Sequence, residues 1–434
     1  TTLELNPESI QLLVLPTENK RMSSTAQPFI LGANYWPRRK AMYWWSQFDA
    51  AEVREEFALM REIGLDVARI FLLWDDFQPQ PDSVSPQALA DLETVCNIAA
   101  DNGLKLDMTF FTGHMSGPNW APRWLLGGPQ PHHTWIRQVV SQGEVQNSGY
   151  RNFFNDPVAL QAERLLLRTV VERFKQHPAI WMWNLGNEPD LFAWPASNAE
   201  GRAWTREMTQ LIKEIDPAHP VTLGLHGGSL HERNGLTISD VYAETDVAVM
   251  HSYPMYVDWS RQPLDPDFVP YTCAITASMA GKPVLMEEFG GCTAAPGQPS
   301  YDWEWEALGQ HYKRFMASEE DLAEYFRQVL PKLVQIGTTG AITWCFADYV
   351  EELWDKPPCN ASKHERFFGL VRPDGSLKPH AEVIKQFAAT RPTVQPIPQW
   401  AQLAVDAAEF NADPNTQVRK HYLEYLKALQ AATL

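Results

Sequence analysis

The chain has 434 residues, of which 44% are hydrophobic and 21% charged, with a formal net charge of −17. This composition supports a large apolar core and argues against disorder as the main state. An acidic surface repels nucleic-acid phosphate and anionic lipid, and no run of Lys or Arg offers a nucleic-acid footprint. We therefore expect neither nucleic acid nor a membrane as partner, and the charge suits a neutral substrate.

Five scattered cysteines and the absence of a Cys-x-x-Cys pair argue against a disulfide framework and a structural zinc site. No stretch reaches the roughly 18 apolar residues of a membrane span. The first two dozen residues lack the basic-then-apolar pattern of a secretory signal. The sequence as given predicts a soluble protein and favours a cytoplasmic one.

Short apolar runs alternate along the chain with segments of helical periodicity. Strands are predicted at 29–35, 67–73, 104–111, 179–185, 221–225, 247–251, 283–289 and 340–346. Helices are predicted at 50–63, 86–101, about 156–176, 198–215, 319–336 and 380–389. Eight strands that are apolar on both faces and separated by helices indicate a parallel sheet closed into a (β/α)8 TIM barrel. An open doubly wound sheet is the alternative, but no glycine-rich phosphate loop follows the first strand.

The same pattern divides the chain into an N-terminal extension (1–27), a catalytic barrel (28–389) and a C-terminal linker with a helix (390–434). Long loops are predicted at 112–155, 258–269 and 290–316, at the catalytic end of the barrel. In the last helix, Val418, Tyr422, Leu426 and Leu429 form an apolar stripe. We expect this stripe to dock on its own barrel, with a partner as the alternative, so a homo-oligomer stays open.

Barrel enzymes carry their chemistry at the carboxyl ends of the strands. The polar and aromatic residues predicted at those ends are Arg69 (strand two), His114 (after strand three), Asn187 and Glu188 (strand four), His251 and Tyr253 (strand six), Glu287 and Glu288 (strand seven) and Trp344 (strand eight). Two carboxylates at one barrel mouth are what cleavage of a glycosidic bond requires, one protonated and one ionised. We expect Arg69 and Tyr253 to keep Glu288 ionised, and the charge of Glu288 to help Glu188 hold its proton.

This chemistry needs no metal and no cofactor. The histidines at 132, 133, 226 and 231 lack a metal-binding spacing and are interpreted as solvated loop residues. Several tryptophans in the loops either stack on sugar or pack the loops over the barrel: Trp36, Trp44, Trp45, Trp120, Trp124, Trp135, Trp194 and Trp354.

The segments VARIF, WNLGNEP, HSYP, KPVLMEEFG and AITWCFADY resemble those of the clan of retaining (β/α)8 glycosidases. Within that clan the chain is most similar to glycoside hydrolase family five and endo-β-mannosidase-like bacterial proteins, over about residues 29–389. The resemblance implies Glu188 as acid/base and Glu288 as nucleophile, with Asn187 on the sugar 2-hydroxyl and Trp344 as floor of the subsite. It also implies that Arg69, His114, His251 and Tyr253 bind substrate.

The chain departs from the family in carrying Glu287, where a small residue is common. Because neighbours in a strand alternate between faces, we expect only one of Glu287 and Glu288 to face the barrel interior. The Glu directly before Phe-Gly matches the family, which favours Glu288.

The predicted function is a retaining hydrolase of β-linked neutral sugars, first of all an exo-acting β-mannosidase on oligosaccharides, because long loops can close a groove into a pocket. The alternatives are an endo-β-mannanase or cellulase-like enzyme and a β-galactosidase or β-glucosidase. A transglycosylase and an inactive sugar-binding protein are the readings from other classes.

Overall fold

The computed structural model describes residues 27–132 and 138–433. Nearly all of the predicted N-terminal extension, together with His133 and Trp135, lies outside the described residues. Across the part of the chain that is described, no helix combines the length and the apolar character that a bilayer span requires.

Eight parallel strands form a barrel, as the sequence predicts. Their order in the sheet follows the chain, and β1 lies between β8 and β2. The ring is closed by a hydrogen bond of 2.9 Å from the amide of His251 to the carbonyl of Leu225. The strands are β1 Ile30–Asn34, β2 Val67–Leu73, β3 Lys105–Thr112, β4 Ile180–Asn187, β5 Val221–Gly224, β6 Ala248–Ser252, β7 Val284–Gly290 and β8 Gly340–Trp344.

Helices follow the strands and cover the outside of the barrel. They are α1 Ala50–Ile63, α2 Pro86–Asp101, α3 Pro157–Phe174, α4 Asn198–Ile215, α5 Ile238–Glu244, α6 Phe268–Ala280, α7 Glu319–Gln335 and α8 Pro379–Ala389. Local signals set their ends: the side chains of Asp49, Asp156 and Ser318 accept hydrogen bonds from the first-turn amides of α1, α3 and α7. Because seven of the eight strands are buried over their whole length, the covered parallel sheet is confirmed.

Two of the long loops that the sequence predicts contain regular structure. After β7, an antiparallel hairpin pairs Tyr301–Ala307 with Gln310–Met316. After β3, a small sheet joins Asn119–Trp120, Val139–Ser141 and Glu144–Gln146. Both lie at the carboxyl end of the barrel and contribute walls above it.

The C-terminal helix α9 (Pro414–Thr433) packs against α6 and the loop before it. Val418 and Tyr422 are buried there, and Leu426 and Leu429 are partly buried against the same core. The Tyr422 hydroxyl donates to the Asp265 carboxylate over 2.5 Å. The apolar stripe of this helix therefore contacts its own barrel.

Candidate active site

A cavity of about 400 Å³ opens at the carboxyl ends of the strands. Of the eight site residues predicted from the sequence, seven line it: His114, Asn187, Glu188, His251, Tyr253, Glu288 and Trp344. The eighth, Arg69, is fully buried directly beneath Glu288. The fold thus brings all the predicted residues to one place.

Glu188 and Glu288 face each other across this cavity. One carboxylate oxygen of each, together with a ring nitrogen of His251, lies within 4.8 Å of the others. Glu188 follows β4 in the left-handed backbone conformation, with φ of 46°, which is uncommon for a residue with a side chain. Three such ligand atoms could hold a metal ion by number, but each already has a hydrogen-bond partner here.

Glu288 is held by one donor on each oxygen. The Arg69 Nη1 donates to Glu288 Oε2 over 3.2 Å, and the Tyr253 hydroxyl donates to Oε1 over 2.6 Å. Arg69 is fixed in turn by Asn34 Oδ1 at 3.0 Å and Thr109 Oγ1 at 3.1 Å. This network orients the carboxylate and leaves the Arg69 side chain no freedom to turn away.

Glycines make room for this network. A Cβ at position 224 would come within 2.8 Å of Arg69 Nη2, so only glycine leaves space for the guanidinium. A Cβ at position 290 would lie 2.3 Å from the Trp344 carbonyl oxygen, and this clash would force β7 and β8 apart. The Gly of the Glu-Phe-Gly segment therefore has a packing reason.

Glu287 also faces the barrel interior, so the expectation that only one neighbour can do so is wrong. In the pairing of β6 with β7, Met250 lies opposite Met286, but His251 lies opposite Glu288. Glu287 is the extra residue of a β-bulge, which interrupts the alternation of side chains. Its carboxylate lies below the cavity, fully buried, and accepts from Asn184 Nδ2 over 3.0 Å.

His251 connects the three carboxylates. Its Nε2 lies 2.9 Å from Glu287 Oε2, and its Nδ1 lies 2.9 Å from Glu188 Oε1 and 3.5 Å from Glu288 Oε2. Burial opposes a charge on the ring. The charge of Glu288 and the hydrogen bonds to Glu188 and Glu287 outweigh burial and raise the pKa of His251 to about 9.

The protonation of the two facing carboxylates differs from the expectation. Burial would raise the pKa of Glu188, but His226 and His251 outweigh it and bring that pKa to about 2. Burial, together with the charge of Glu188, raises the pKa of Glu288 above its ordinary value despite His251 and Arg69. The two histidines therefore favour the ionised form of Glu188.

His226 is a site residue that the sequence analysis missed, since the solvated-loop interpretation is wrong for it. It lines the cavity, and its Nε2 lies 2.7 Å from the buried Asp190. Burial disfavours its charge, yet Asp190 and Glu188 raise the pKa of His226 to about 10. The available signal was its place directly after β5, where barrel enzymes put functional residues.

Asn187 and His114 are fixed beside the carboxylates. Asn187 Nδ2 donates to the His114 carbonyl over 3.2 Å, and the His114 Nδ1 lies 2.8 Å from Asn119 Oδ1. The Asn187 Oδ1 is buried and has no hydrogen-bond partner among the described residues. Because Asn187 lines the cavity, this unpaired acceptor lies close to the space that a sugar hydroxyl would occupy.

Trp344 lines the cavity, and its indole Nε1 donates to Glu365 Oε2 over 3.3 Å. Four of the eight loop tryptophans singled out from the sequence, Trp36, Trp44, Trp45 and Trp120, are buried in the core and do not line the cavity. The aromatic residues that do line it beside Trp344 include Tyr256, Trp259 and Tyr312, which the sequence analysis did not single out.

Comparisons with known proteins place the chain among glycoside hydrolases. Residues 135–390 match the family described as "Glycosyl hydrolases family 2, TIM barrel domain", and residues 42–207 match a second family, described as "Beta-galactosidase". The "Probable mannan endo-1,4-beta-mannosidase C" of Aspergillus terreus is 29% identical over 50% of this chain and 53% of its own length. "Mannan endo-1,4-beta-mannosidase 7" of Oryza sativa subsp. japonica is 22% identical over 68% of this chain and 82% of its own length.

The chain thus spans about half of the Aspergillus relative. Two solved structures share the fold. GH5_18 from Streptomyces cattleya, in complex with GlcNAc, has a TM-score of 0.68 at 21% identity and covers 86% of this chain and 83% of its own. The "Exo-beta-1,4-mannosidase Op5Man5" from Opitutaceae bacterium strain TAV5 has a TM-score of 0.68 at 24% identity. The match covers 86% of this chain and 61% of the Opitutaceae chain.

The predicted resemblance to (β/α)8 glycoside hydrolases of the family-five kind is confirmed by these matches. Because the first of the two family matches extends over more than half of the residues, the chain belongs to the glycosyl hydrolases of family 2, TIM barrel domain.

Proposed function

We propose that the chain is a retaining β-glycoside hydrolase of the β-mannosidase type, with Glu288 as nucleophile and Glu188 as acid/base. The observation that carries this proposal is the pair of facing carboxylates, whose nearest oxygens lie within 4.8 Å of each other. Retaining glycosidases place their carboxyl groups about 5–5.5 Å apart, whereas inverting enzymes need room for a water between them.

In the first step, an oxygen of Glu288 attacks the anomeric carbon, and the bond from that carbon to the leaving oxygen breaks. Arg69 and Tyr253, which each donate to one Glu288 oxygen, aim the carboxylate at this carbon. Glu188 gives a proton to the leaving oxygen, so the leaving group departs as a neutral hydroxyl compound.

The proton for this step comes from His251. Its Nδ1 lies 2.9 Å from Glu188, so the imidazolium can pass one proton to that carboxylate and remain neutral, with Nε2–H donated to Glu287. In the second step, ionised Glu188 takes a proton from water, the resulting hydroxide displaces Glu288 from the sugar, and the proton returns to His251. Protons balance over the cycle.

Asn187 and Trp344 hold the sugar. The unpaired Asn187 Oδ1 accepts from the 2-hydroxyl, and the Trp344 face supports the ring by stacking. A mannoside is the first choice of substrate because the relatives that this chain resembles carry mannosidase names.

Exo attack is favoured by the walls of the cavity. Ser116, Tyr312 and Glu365 come from the loops after β3, β7 and β8, and all three line it. Such walls form a pocket that accepts a chain terminus. Endo attack on mannan is the second candidate, because the curated relatives are named endo-mannosidases.

The test uses a panel of nitrophenyl β-glycosides, followed by time courses on mannopentaose and soluble mannan. We expect the mannoside to be hydrolysed fastest, with early mannose and little loss of polymer viscosity. Glu288→Gln serves as the inactive variant and Glu352→Gln, at an exposed position, as its matched control. Rapid viscosity loss with mixed oligosaccharides would favour endo attack, and no hydrolysis of any glycoside would overturn the proposal.

A further inference from the structure

Glu365 is a buried carboxylate in the cavity wall that the mechanism above does not use. It lies in a short 3-10 helix, Lys363–Phe367, in the loop after β8, and is only 9% exposed. Its Oε2 accepts from the indole Nε1 of Trp344 over 3.3 Å. The side chain therefore lies beside the edge of the aromatic ring that is expected to carry the sugar.

No Lys or Arg ion-pairs with Glu365 within residues 27–132 and 138–433. Its one ion-pair contact is His364, whose Nε2 lies 3.5 Å away and takes a 3.0 Å hydrogen bond with the Tyr256 hydroxyl. Burial holds the pKa of His364 well below its ordinary range, so this ring is neutral. Burial likewise raises the pKa of Glu365 to about 7.

Ser116 lies on the same wall and lines the cavity with Glu365. Its hydroxyl interacts with the Glu365 carboxylate and, with the Trp344 indole, partly opposes the rise in the pKa of that group. A buried carboxylate without a cation costs desolvation energy that hydroxyl donors can offset. The wall thus has the acceptors that a sugar, with hydroxyls around its perimeter, would satisfy.

We propose that Glu365 is a specificity-determining residue that binds the hydroxyls on the C4–C6 edge of the terminal sugar and excludes sugars with a carboxylate at C6. This inference rests on the proposed function, which gives C1 to Glu288 and the 2-hydroxyl to Asn187. A ring stacked on Trp344 projects its remaining hydroxyls beyond the indole edge, where the Glu365 oxygens lie. A C6 carboxylate there would face Glu365 at short range. Arg314, a cation that also lines the cavity, lies over the Tyr256 ring at 5.5 Å and does not ion-pair with Glu365.

The experiment measures kcat/KM at a pH above about 7, where Glu365 is ionised, for nitrophenyl β-mannoside, its 4-deoxy and 6-deoxy analogues, and the β-mannuronide. The enzymes are wild type, Glu365→Gln, Glu365→Asp and the control Glu352→Gln from the same loop. We expect Glu365→Gln to lose about 10- to 100-fold on the mannoside, the range of a hydrogen bond to a charged group. On at least one deoxy analogue, kcat/KM of Glu365→Gln should fall less than about 3-fold relative to wild type, because the hydroxyl that Glu365 would bind is absent from that substrate.

The preference for mannoside over mannuronide should narrow at least about 10-fold in Glu365→Gln, because the repulsion is removed. Glu365→Asp keeps the charge and should keep the preference while losing rate on the mannoside. An equal loss on all four substrates would mean that Glu365 only holds Trp344, and would overturn the inference while leaving the proposed function intact. If the wild-type enzyme hydrolyses none of the substrates, the proposed function and the inference about Glu365 are both wrong.

Discussion

The Glu287→Gln variant distinguishes the role of Glu287, which lies beneath the site, from that of the proposed nucleophile Glu288. In the native site the Nε2 of His251 lies 2.9 Å from a Glu287 carboxylate oxygen. The substitution keeps the shape of the side chain and one oxygen that can accept from this Nε2–H. What is lost is one negative charge in a fully buried position. The variant therefore tests whether Glu287 keeps a proton available to Glu188 through His251.

The size of the effect follows from the distances. At an effective dielectric of about 20, a charge pair 2.9 Å apart is worth roughly 6 kcal/mol, an upper bound for the net interaction. Glu188 and Glu288 still face the ring at 2.9 and 3.5 Å and keep part of the stabilisation. We expect the pKa of His251, about 9 in the native site, to fall by about 1–2 units toward its ordinary value.

The assay is the pH dependence of kcat/KM on nitrophenyl β-mannoside. Because the pKa of His251 is raised to about 9, its ring keeps the proton below about pH 9 and loses it as the pH rises through that value. His251 should therefore set the alkaline limb of the profile. In Glu287→Gln this limb should move about 1–2 pH units lower. With a dinitrophenyl leaving group, which departs without protonation, the limb should not move, and Glu319→Gln, a buried carboxylate paired with Arg372, controls for loss of a buried charge elsewhere.

An unchanged alkaline limb in Glu287→Gln would refute the proton-supply role. Azide rescue of Glu287→Ala would go further, because it would make Glu287 the nucleophile.

Three further outcomes are expected. Glu288→Ala should lower turnover by at least about 10⁴-fold, more than about 5 kcal/mol of transition-state stabilisation, and azide should restore activity as an α-glycosyl azide seen by NMR; if azide gives no such product, the nucleophile assignment fails. The first mannose released by wild type should be the β-anomer in proton NMR, and initial α-mannose would exclude double displacement. Tyr422→Phe removes the 2.5 Å hydrogen bond to Asp265 and should lower the free energy of unfolding by about 1–3 kcal/mol in urea, with kcat/KM unchanged; unaltered stability would show that α9 contributes by apolar packing alone.

The barrel could be predicted from local patterns because its elements obey them. The predicted helices at 50–63, 86–101 and 198–215 match α1, α2 and α4 to the residue, since caps and amphipathic faces mark their ends. The helix α6 was not predicted. Its first nine residues, Phe268–Thr276, are all buried, so no polar face gives it a helical period.

The site was predictable where a residue's position along one strand decides its place. Arg69, Glu188 and Glu288 follow from that rule, as does the place of Trp344. Glu287 and Glu365 do not: the first faces inward because of a bulge that appears only in the register of β6 with β7, and the second comes from a loop whose path depends on packing. His226 had a strand-end signal, but its charge depends on Asp190, 36 residues away in sequence.

Electrostatic interactions link the residues of the candidate site to one another. Burial and the nearby Glu287 raise the pKa of Asp107, beneath the site, well above its ordinary range. Arg69 and His251 lie among the three carboxylates Glu188, Glu287 and Glu288, and the charge of Glu188 also helps to raise the pKa of His226. In the proposed mechanism, we expect the negative charge of these carboxylates to stabilise the positive charge that develops on a sugar ring as its glycosidic bond breaks. If Glu365 has the role proposed above, its charge would add to this effect by repelling an acidic sugar, so the same carboxylates would promote cleavage and select a neutral substrate.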